Sequence, residues 1–305
     1  MKGLELARAY YEEYGKPMIR KEFPGYEMRI AVGLAGEGSE CFGYDDECSR
    51  DHDFEAGFCL WLTEEDCEEI GFRLFRAYEK LPEIYRGIQK EKTSFYGRDR
   101  RGVMEIGDFY ERTMGYRTVP ESLEEWLFIP EYALAQAVNG EVFRDDLGLF
   151  SQVRQCLLSG YPEDVRKKKI AARAVTMAQS GQYNYERCRK RGEYGAAAMA
   201  LAEFVQAGIS MVFLLNNRYT PYYKWMFRGM KELPVLGWLA QDMEDILIGK
   251  QDQSMLVEKV SAAVIQEMKR QGLTAGSWNY LEPHGFQVME QIRDGTLRNL
   301  HVMEG

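Results

Sequence analysis

The chain has 305 residues, of which 45% are hydrophobic and 29% are charged, so it is long enough for about two domains and too apolar for a disordered protein. Its formal net charge of −9 argues against a long nucleic acid as a partner, because such a partner is bound mainly through attraction between its phosphates and positive charges on the protein. No apolar run approaches the roughly 18 residues of a membrane span, and the charged N-terminal segment lacks the features of a signal peptide. We therefore expect a cytoplasmic protein with no membrane partner.

The cysteines and histidines give no metal-binding pattern. The six cysteines include no CxxC pair, and their spacings fit no zinc template. The three histidines lie too far apart in the sequence to indicate a cluster. In a chain without a secretory signal, we expect reduced thiols rather than disulfides.

Helix and strand patterns alternate over the first 80 residues. Apolar residues recur at helical spacing in residues 2–15, and residues 26–34 are β-prone and run into a glycine-rich turn. Residues 51–62 contain two short strand-like pieces around a glycine. Thr63 is a good helix N-cap, and an apolar stripe predicts that the helix covers residues 63–78.

A further strand and a short helix follow. Residues 101–106 read as a strand, which Gly107 and Asp108 then break. Asp108 and Glu111 have the spacing of a capping pair, so we expect a short helix after Asp108 that ends at Gly115.

Helical periodicity replaces strand-like alternation after about residue 120. The candidate helices are 121–139, 145–158, 162–181, 182–191, 193–217, 219–231, 235–248 and 252–271. The helix within 193–217 carries few charges, which predicts a central and mostly buried helix. We therefore predict an α+β fold, with a small mixed sheet and flanking helices in residues 1–120 and an all-helical bundle in residues 121–305.

The segment from Gly36 to Asp53 carries residues suited to phosphate chemistry. The Gly38-Ser39 turn follows an apolar strand, and such a turn lets backbone N–H groups approach a triphosphate closely. Asp51 and Asp53 would share one face of a strand, about 7 Å apart by the rise of the chain. Two carboxylates so placed require cations if they are buried, and Mg²⁺ is the natural partner of such hard oxygen ligands.

In the type, order and spacing of Gly38, Ser39, Asp51 and Asp53, the sequence resembles the DNA polymerase beta-like nucleotidyltransferase superfamily. That superfamily has a Gly-Ser turn, a gap, an Asp-x-Asp pair and a third carboxylate on a later strand. The run GEGSECFGYDDECSRDHDF, with GQYNYERC and LLNNRYTPYYKW further on, resembles a bacterial branch of it. In that branch, a helical bundle of the kanamycin nucleotidyltransferase type follows the catalytic domain.

The resemblance implies transfer of a nucleoside monophosphate from a nucleoside triphosphate to an acceptor hydroxyl, with release of pyrophosphate. It implies two Mg²⁺ ions, with Mn²⁺ as the alternative, held by Asp51 and Asp53. Glu105 is our choice for the third carboxylate, because its apolar neighbours on the predicted strand would face the core and leave Glu105 facing the site. It could also accept the proton of the attacking hydroxyl. Asp108 is the second candidate.

Three residues of the helical part are further candidates for binding the nucleotide. Arg187, Lys224 and Tyr223 could form a basic and aromatic wall against its phosphates and base. The alternative is that the tyrosines pack between bundle helices.

Two other functions compete with the enzyme interpretation. A nucleotide-binding module without turnover, or one half of a toxin–antitoxin-like pair, would gain support if no third carboxylate lay near Asp51 and Asp53. A metal-dependent phosphohydrolase would need more His or Asp ligands. The sequence does not identify the acceptor, which could be a small molecule or a macromolecule. It also leaves the preferred base and the oligomeric state open.

Overall fold

The protein divides into two compact units, and each unit contains two stretches of the chain. The first unit contains Met1–Val119 and Ala133–Ser159, and the second contains Pro120–Tyr132 and Gly160–Gly305. The structure is a computed structural model and describes residues 1–47, 55–90, 100–249 and 252–305. A small mixed sheet with helices in the first unit, and helices in the second, confirm the predicted α+β class.

Short strands form two sheets in the first unit. The strands are β1 Ala31–Leu34, β2 Cys59–Leu62, β3 Ile84–Tyr85, β4 Ile88–Gln89, β5 Gly102–Glu105 and β6 Glu141–Arg144. The larger sheet has the order β5-β2-β1-β6, in which β1 is antiparallel to β2 and β6, and β2 is parallel to β5. Strands β3 and β4 form a separate antiparallel pair.

Helices make up most of the remaining described residues. The α-helices are α1 Gly3–Tyr10, α2 Lys16–Glu22, α3 Glu64–Asp66, α4 Phe72–Glu79, α5 Ile106–Met114, α6 Leu123–Phe128, α7 Glu131–Val138, α8 Leu149–Leu158, α9 Glu163–Met177, α10 Glu186–Lys190, α11 Tyr194–Leu215, α12 Met226–Lys231, α13 Ala240–Ile248, α14 Gln253–Arg270, α15 Leu281–Glu290 and α16 Gly295–Asn299. Wider π-helical turns at Tyr11–Gly15, Cys67–Gly71 and Ala178–Tyr185 join α1 to α2, α3 to α4 and α9 to α10.

The two central strands of the sheet are buried on both faces. Every residue of β1 and β2 is buried, which explains why these strands read as continuous apolar runs rather than as an alternating pattern. On one face, Trp61 of β2 stacks on Phe150 of α8 with their ring centroids 3.9 Å apart. On the other, Phe58 packs edge-on against Tyr11 and Tyr78. The sheet therefore lies in the middle of the core of the first unit.

Residues 133–159 pack with the sheet, whereas the sequence pattern assigns them to the helical bundle. Strand β6 pairs with β1 through Leu34 and Glu141, and the side chain of Asn139 both donates to and accepts from the backbone of Gly36. The signal for β6 is weak, because only Val142 and Phe143 are β-prone between two strong helical patterns.

Local capping chemistry decides where several helices begin and end. The Thr63 side chain accepts a hydrogen bond from the Asp66 N–H, as predicted. Pro130 divides the predicted helix 121–139 into α6 and α7 because a residue before proline is held in extended backbone. The predicted cap at Asp108 is wrong: α5 begins at Ile106 with Glu105 at its N-cap, so Asp108 lies inside the first turn.

The second unit is built around α11, the central helix that the sequence predicts. This helix of 22 residues is long and apolar enough to cross a membrane by length and composition, but 72% of its apolar window is buried within the protein. Its neighbours include α9, the π-helical turn Ala178–Tyr185 and α13. Burial against other helices therefore accounts for its apolar composition.

We predict that Gly140→Ala destabilises the first unit. Gly140 has a φ of +69°, and a Cβ there would overlap the carbonyl oxygen of Leu34 on β1. Gly148 is a matched control, because its φ is +71° and a Cβ added there would have nothing within 4 Å. Gly148→Ala should cost about 1–2 kcal/mol in the free energy of unfolding from backbone strain, and Gly140→Ala clearly more. Equal losses in a denaturant titration would contradict the close contact between β6 and β1.

Candidate functional site

The glycine-serine turn follows β1 directly. Gly36 and Gly38 have φ angles of +106° and +113°, which L-residues with a side chain rarely adopt. A Cβ at Gly38 would overlap the Glu40 carboxylate and the Arg100 guanidinium. Ser39 then leads into a single 3₁₀ turn over Glu40–Phe42. The turn predicted from the sequence is therefore present, and it requires glycine at both positions.

A buried ion cluster lies beneath this turn. The Glu40 side chain is 4% exposed, and its Oε1 accepts hydrogen bonds from Arg101 Nη2 at 2.8 Å and Arg100 Nη2 at 3.0 Å. Arg101 is 3% exposed and also forms an ion pair with Glu55, with Nε 3.1 Å from Oε1. Buried charges of this kind are stable only when they are paired and hydrogen-bonded.

Arg101 links two segments that are far apart in the sequence. Glu40 follows Ser39 directly, and Glu55 is the first described residue after the Asp51-His52-Asp53 motif. Asp51 and Asp53 themselves lie outside the described residues. One buried guanidinium thus holds the glycine-serine turn beside the chain that leaves the motif and enters β2.

Two buried thiols support the same region. Cys41 donates a hydrogen bond to the carbonyl oxygen of Glu37, and Cys59 donates one to that of Arg100. Burial raises the pKa of Cys59 to about 11 and that of Cys41 well above its ordinary value. Both groups therefore stay protonated near neutral pH, and act as weak hydrogen-bond donors rather than as nucleophiles.

Glu105 and Asp108, the two candidates for a third carboxylate, both form ion pairs with Arg117. Glu105 pairs with Arg117 Nη2, and Asp108 Oδ1 lies 2.6 Å from Nη1. The strand register places Glu105 opposite Leu62, at the end of β2 and β5 away from the turn. The turn follows Gly33 and Leu34 of β1, beside the ends at which β2 and β5 begin. The structure therefore does not bring Glu105 together with Gly38 and Ser39.

The described residues do not form a metal cage by themselves. In the ranges that the structure covers, no group of three or more His, Cys, Asp or Glu side chains could hold a metal ion. Glu40 is the acidic side chain next to Ser39, and two guanidiniums already occupy its carboxylate. The fit of this region to a divalent ion therefore depends on Asp51 and Asp53.

A cavity of about 600 Å³ lies within the second unit. It is lined by Glu131, Tyr132, Arg173, Thr176, Glu203, Gln206, Ala207, Ser210, Thr220, Pro221, Tyr222, Tyr223, Met226 and Met303. Its wall contains a polar network that no sequence pattern predicts. The Glu131 carboxylate accepts hydrogen bonds from Arg173 Nη2 at 2.9 Å, from Ser210 Oγ at 2.8 Å and from the Thr220 hydroxyl.

The pKa of Glu131 lies below its ordinary value despite burial. Burial raises this pKa, but the positive charges of Arg173 and Lys169 and the hydrogen bonds from two hydroxyls outweigh it. Glu131 is therefore a fixed carboxylate in the cavity wall. The signals in the sequence are a carboxylate directly after Pro130 and a lone serine, Ser210, in an apolar helix; neither reveals the contact.

Of the three predicted residues of the helical part, only Tyr223 lines this cavity. Lys224 is exposed and lies beside Tyr223 in a short 3₁₀ turn, but it is not part of the lining. Arg187 lies on α10 and is not part of the lining; its guanidinium is 4.6 Å from the ring centroid of Tyr183, in the π-helical turn that leads into α10. The structure therefore does not collect Arg187, Lys224 and Tyr223 into the lining of a single cavity.

Comparisons with known proteins give similarity to a protein family and to solved structures. Residues 126–226 match the model of a family described as a domain of unknown function, DUF4037. A nucleotidyltransferase-like protein from Exiguobacterium sibiricum 255-15, solved at 1.90 Å, aligns over 93% of this chain and 81% of its own, with 11% identity and a TM-score of 0.38. No curated protein matches the chain.

We predict that Arg101→Leu destabilises the first unit by about 3–5 kcal/mol, because it leaves Glu40 and Glu55 without their buried partner. Arg117→Leu is the control: Arg117 forms ion pairs with three carboxylates but is 44% exposed, so its loss should cost about 1 kcal/mol or less. Denaturant titrations measure the loss of stability in each variant, and hydrogen exchange in β1 and β2 shows whether the loss lies at the sheet. Similar losses for the two variants would show that Arg101 does not organise the turn.

Glu131→Gln should lower the stability of the second unit at neutral pH by about 1.5–3 kcal/mol, because it leaves Arg173 without a carboxylate. The folded-state pKa of Glu131 is depressed, so its contribution is present above the unfolded value of about 4.3 and is lost as pH falls through the lower folded value. The variant should therefore lose less stability than the wild type on acidification.

Glu163→Gln is the control for that experiment, because the Glu163 side chain is 60% exposed. It should change the free energy of unfolding by no more than about 0.5 kcal/mol. Parallel pH profiles for wild type and Glu131→Gln in thermal melts would refute the role of this carboxylate.

Proposed function

We propose that the first unit carries the site of a metal-dependent nucleotidyltransferase. The enzyme would move a nucleoside monophosphate from a nucleoside triphosphate to an acceptor hydroxyl and release pyrophosphate. The observation that carries the proposal is the double ion pair of Arg101, which fixes Glu40 of the glycine-serine turn and Glu55 after the Asp51–Asp53 motif to one buried group. A glycine-serine turn and an acidic pair are the two parts that a triphosphate site of this kind needs, and the ion pairs of Arg101 support placing them near each other.

The turn is suited to hold the phosphate tail. The backbone of Gly38 carries no side chain, so phosphate oxygens can approach the N–H groups of the turn from Gly38 onward, whereas the Gly36 N–H already donates to Asn139. The Ser39 hydroxyl can add a further hydrogen bond to a phosphate oxygen. The buried cluster beneath the turn keeps this backbone in place before a ligand arrives, which lowers the cost of ordering it on binding.

The acidic pair would supply the cation site. Asp51 and Asp53 are the proposed ligands of Mg²⁺, or of Mn²⁺, which when bound neutralises phosphate charge. In the reaction, the acceptor oxygen forms a bond to the α-phosphorus as the bond to the β-phosphate oxygen breaks, and the hydroxyl proton passes to a base. The residues of the turn contribute by positioning the triphosphate for this in-line attack.

Glu105 has no part in this proposal as metal ligand or base. Its carboxylate pairs with Arg117, and it lies at the end of β5 away from the turn. This arrangement favours a second candidate function, a module that binds nucleotides without turnover. Binding and pyrophosphate release must therefore be measured separately.

Asp53→Asn should remove both Mg²⁺-dependent stabilisation by nucleoside triphosphates and turnover. We expect pyrophosphate release to fall at least about a hundredfold, the scale for losing one group that stabilises the transition state. The measurements are thermal shifts with each of the four ribonucleoside triphosphates, with and without Mg²⁺, and a pyrophosphate assay with the best of them.

Glu47→Gln is the control in these assays, because Glu47 is an exposed acid in the same part of the chain and should be neutral. Retention of Mg²⁺-dependent binding and turnover in Asp53→Asn would refute the proposed site. Binding without turnover in the wild type, lost in Asp53→Asn, would select the binding module.

A further inference from the structure

Three tyrosine side chains stand at the mouth of the cavity in the second unit. Tyr132, Tyr222 and Tyr223 all line it, and they are 44%, 44% and 62% exposed, so their rings are accessible to a ligand. Tyr132 lies at the start of α7, and the other two follow Pro221 in the chain.

The rings are tilted against one another. The Tyr132 and Tyr222 centroids are 5.9 Å apart with an angle of 74° between the rings, and those of Tyr222 and Tyr223 are 4.5 Å apart at 54°. A planar nucleobase sandwiched between two of these rings would need them to be parallel, with a gap between them. Rings at steep angles present their faces and edges to a common space, which is the geometry of an aromatic cage for a compact cation.

The charge of the lining also favours a cation. Glu131 and Arg173 neutralise each other in the wall. Glu203 is exposed on α11, and within the described part of the chain no ion pair involves it. Glu203 is therefore a carboxylate of the lining that is not held in an ion pair within the described residues, and such a group opposes a phosphate and attracts an ammonium group.

We propose that this cavity binds an organic cation through its alkylammonium head group, with the three tyrosines around the cation and Glu203 as its counter-charge. This goes beyond the proposed nucleotidyl transfer and does not depend on it, because every residue involved belongs to the second unit. A cation–π contribution depends on both the ring and the charge, so each can be removed separately.

The test uses choline as the probe and 3,3-dimethylbutan-1-ol as its neutral control, because the two differ only in a quaternary nitrogen or carbon. Isothermal titration calorimetry or ligand-observed NMR on the full chain compares their affinities. We expect choline to bind at least about tenfold more tightly than the alcohol. Equal affinity, or no binding of choline, would overturn the proposal.

Variants locate the site. Tyr222→Leu should weaken choline binding about tenfold, whereas Tyr222→Phe, which keeps the ring, should stay within about threefold of the wild type. Glu203→Gln should weaken binding and reduce its dependence on salt. Tyr194→Leu is the matched control, because Tyr194 is a 72% exposed tyrosine that does not line the cavity.

Circular dichroism and thermal melts establish that each variant is folded. A loss in Tyr194→Leu as large as in Tyr222→Leu would contradict the assignment of the site. Preferential binding of adenosine over choline, lost in Tyr222→Leu, would instead identify a stacking site for a base and overturn the cation proposal.

Discussion

The first unit depends on the ion pairs of a single buried arginine. Arg101 precedes β5, and its guanidinium reaches the carboxylates of Glu40 and Glu55. Moving such charges out of water costs several kcal/mol, and the cost is offset only when all three groups keep this geometry. Because all three charged groups must be paired when they are buried, the cluster also restricts how the segments that carry them can be arranged. It favours one placement of the glycine-serine turn relative to the chain that enters β2. The Cys41 thiol and Arg100 add hydrogen bonds to the Glu37 carbonyl oxygen of the turn, and the Cys59 thiol donates to the Arg100 carbonyl oxygen.

The second unit also contains a buried polar cluster, which lies in the wall of its cavity. Glu131 is tied to α9 through Arg173, to α11 through Ser210 and to the segment before the tyrosines through Thr220. A carboxylate with three donors is rigid, and so are the segments that supply the donors. The segment that carries Tyr222 and Tyr223 is thus held in place by the hydrogen bond between Thr220 and Glu131. Each unit therefore pairs a buried polar cluster, which positions the backbone, with an accessible surface suited to a ligand.

The sequence predicts features that depend on local chemistry. The turn at Gly38 follows from glycine spacing, the helix after Thr63 from a capping side chain, and the buried α11 from an apolar run with few charges. It fails where a contact joins distant residues. Strand β6 exists because Leu34 offers an edge for Glu141 to pair with, and nothing near β6 in the sequence indicates that edge. Glu105 shows the same limit: its spacing indicates a strand position, but its partner Arg117 comes from beyond the next helix.

In the proposed function, the turn at residues 38–39 and the acidic pair at 51 and 53 together receive a triphosphate. The most direct measurement is a crystal structure of the chain with Mg²⁺ and a nucleoside triphosphate analogue that cannot be hydrolysed at the α-phosphate. The proposal predicts phosphate oxygens within hydrogen-bond distance of the backbone N–H groups of the turn, with the metal bound by Asp51 and Asp53. A triphosphate bound elsewhere, with Arg101 still pairing Glu40 and Glu55, would contradict it.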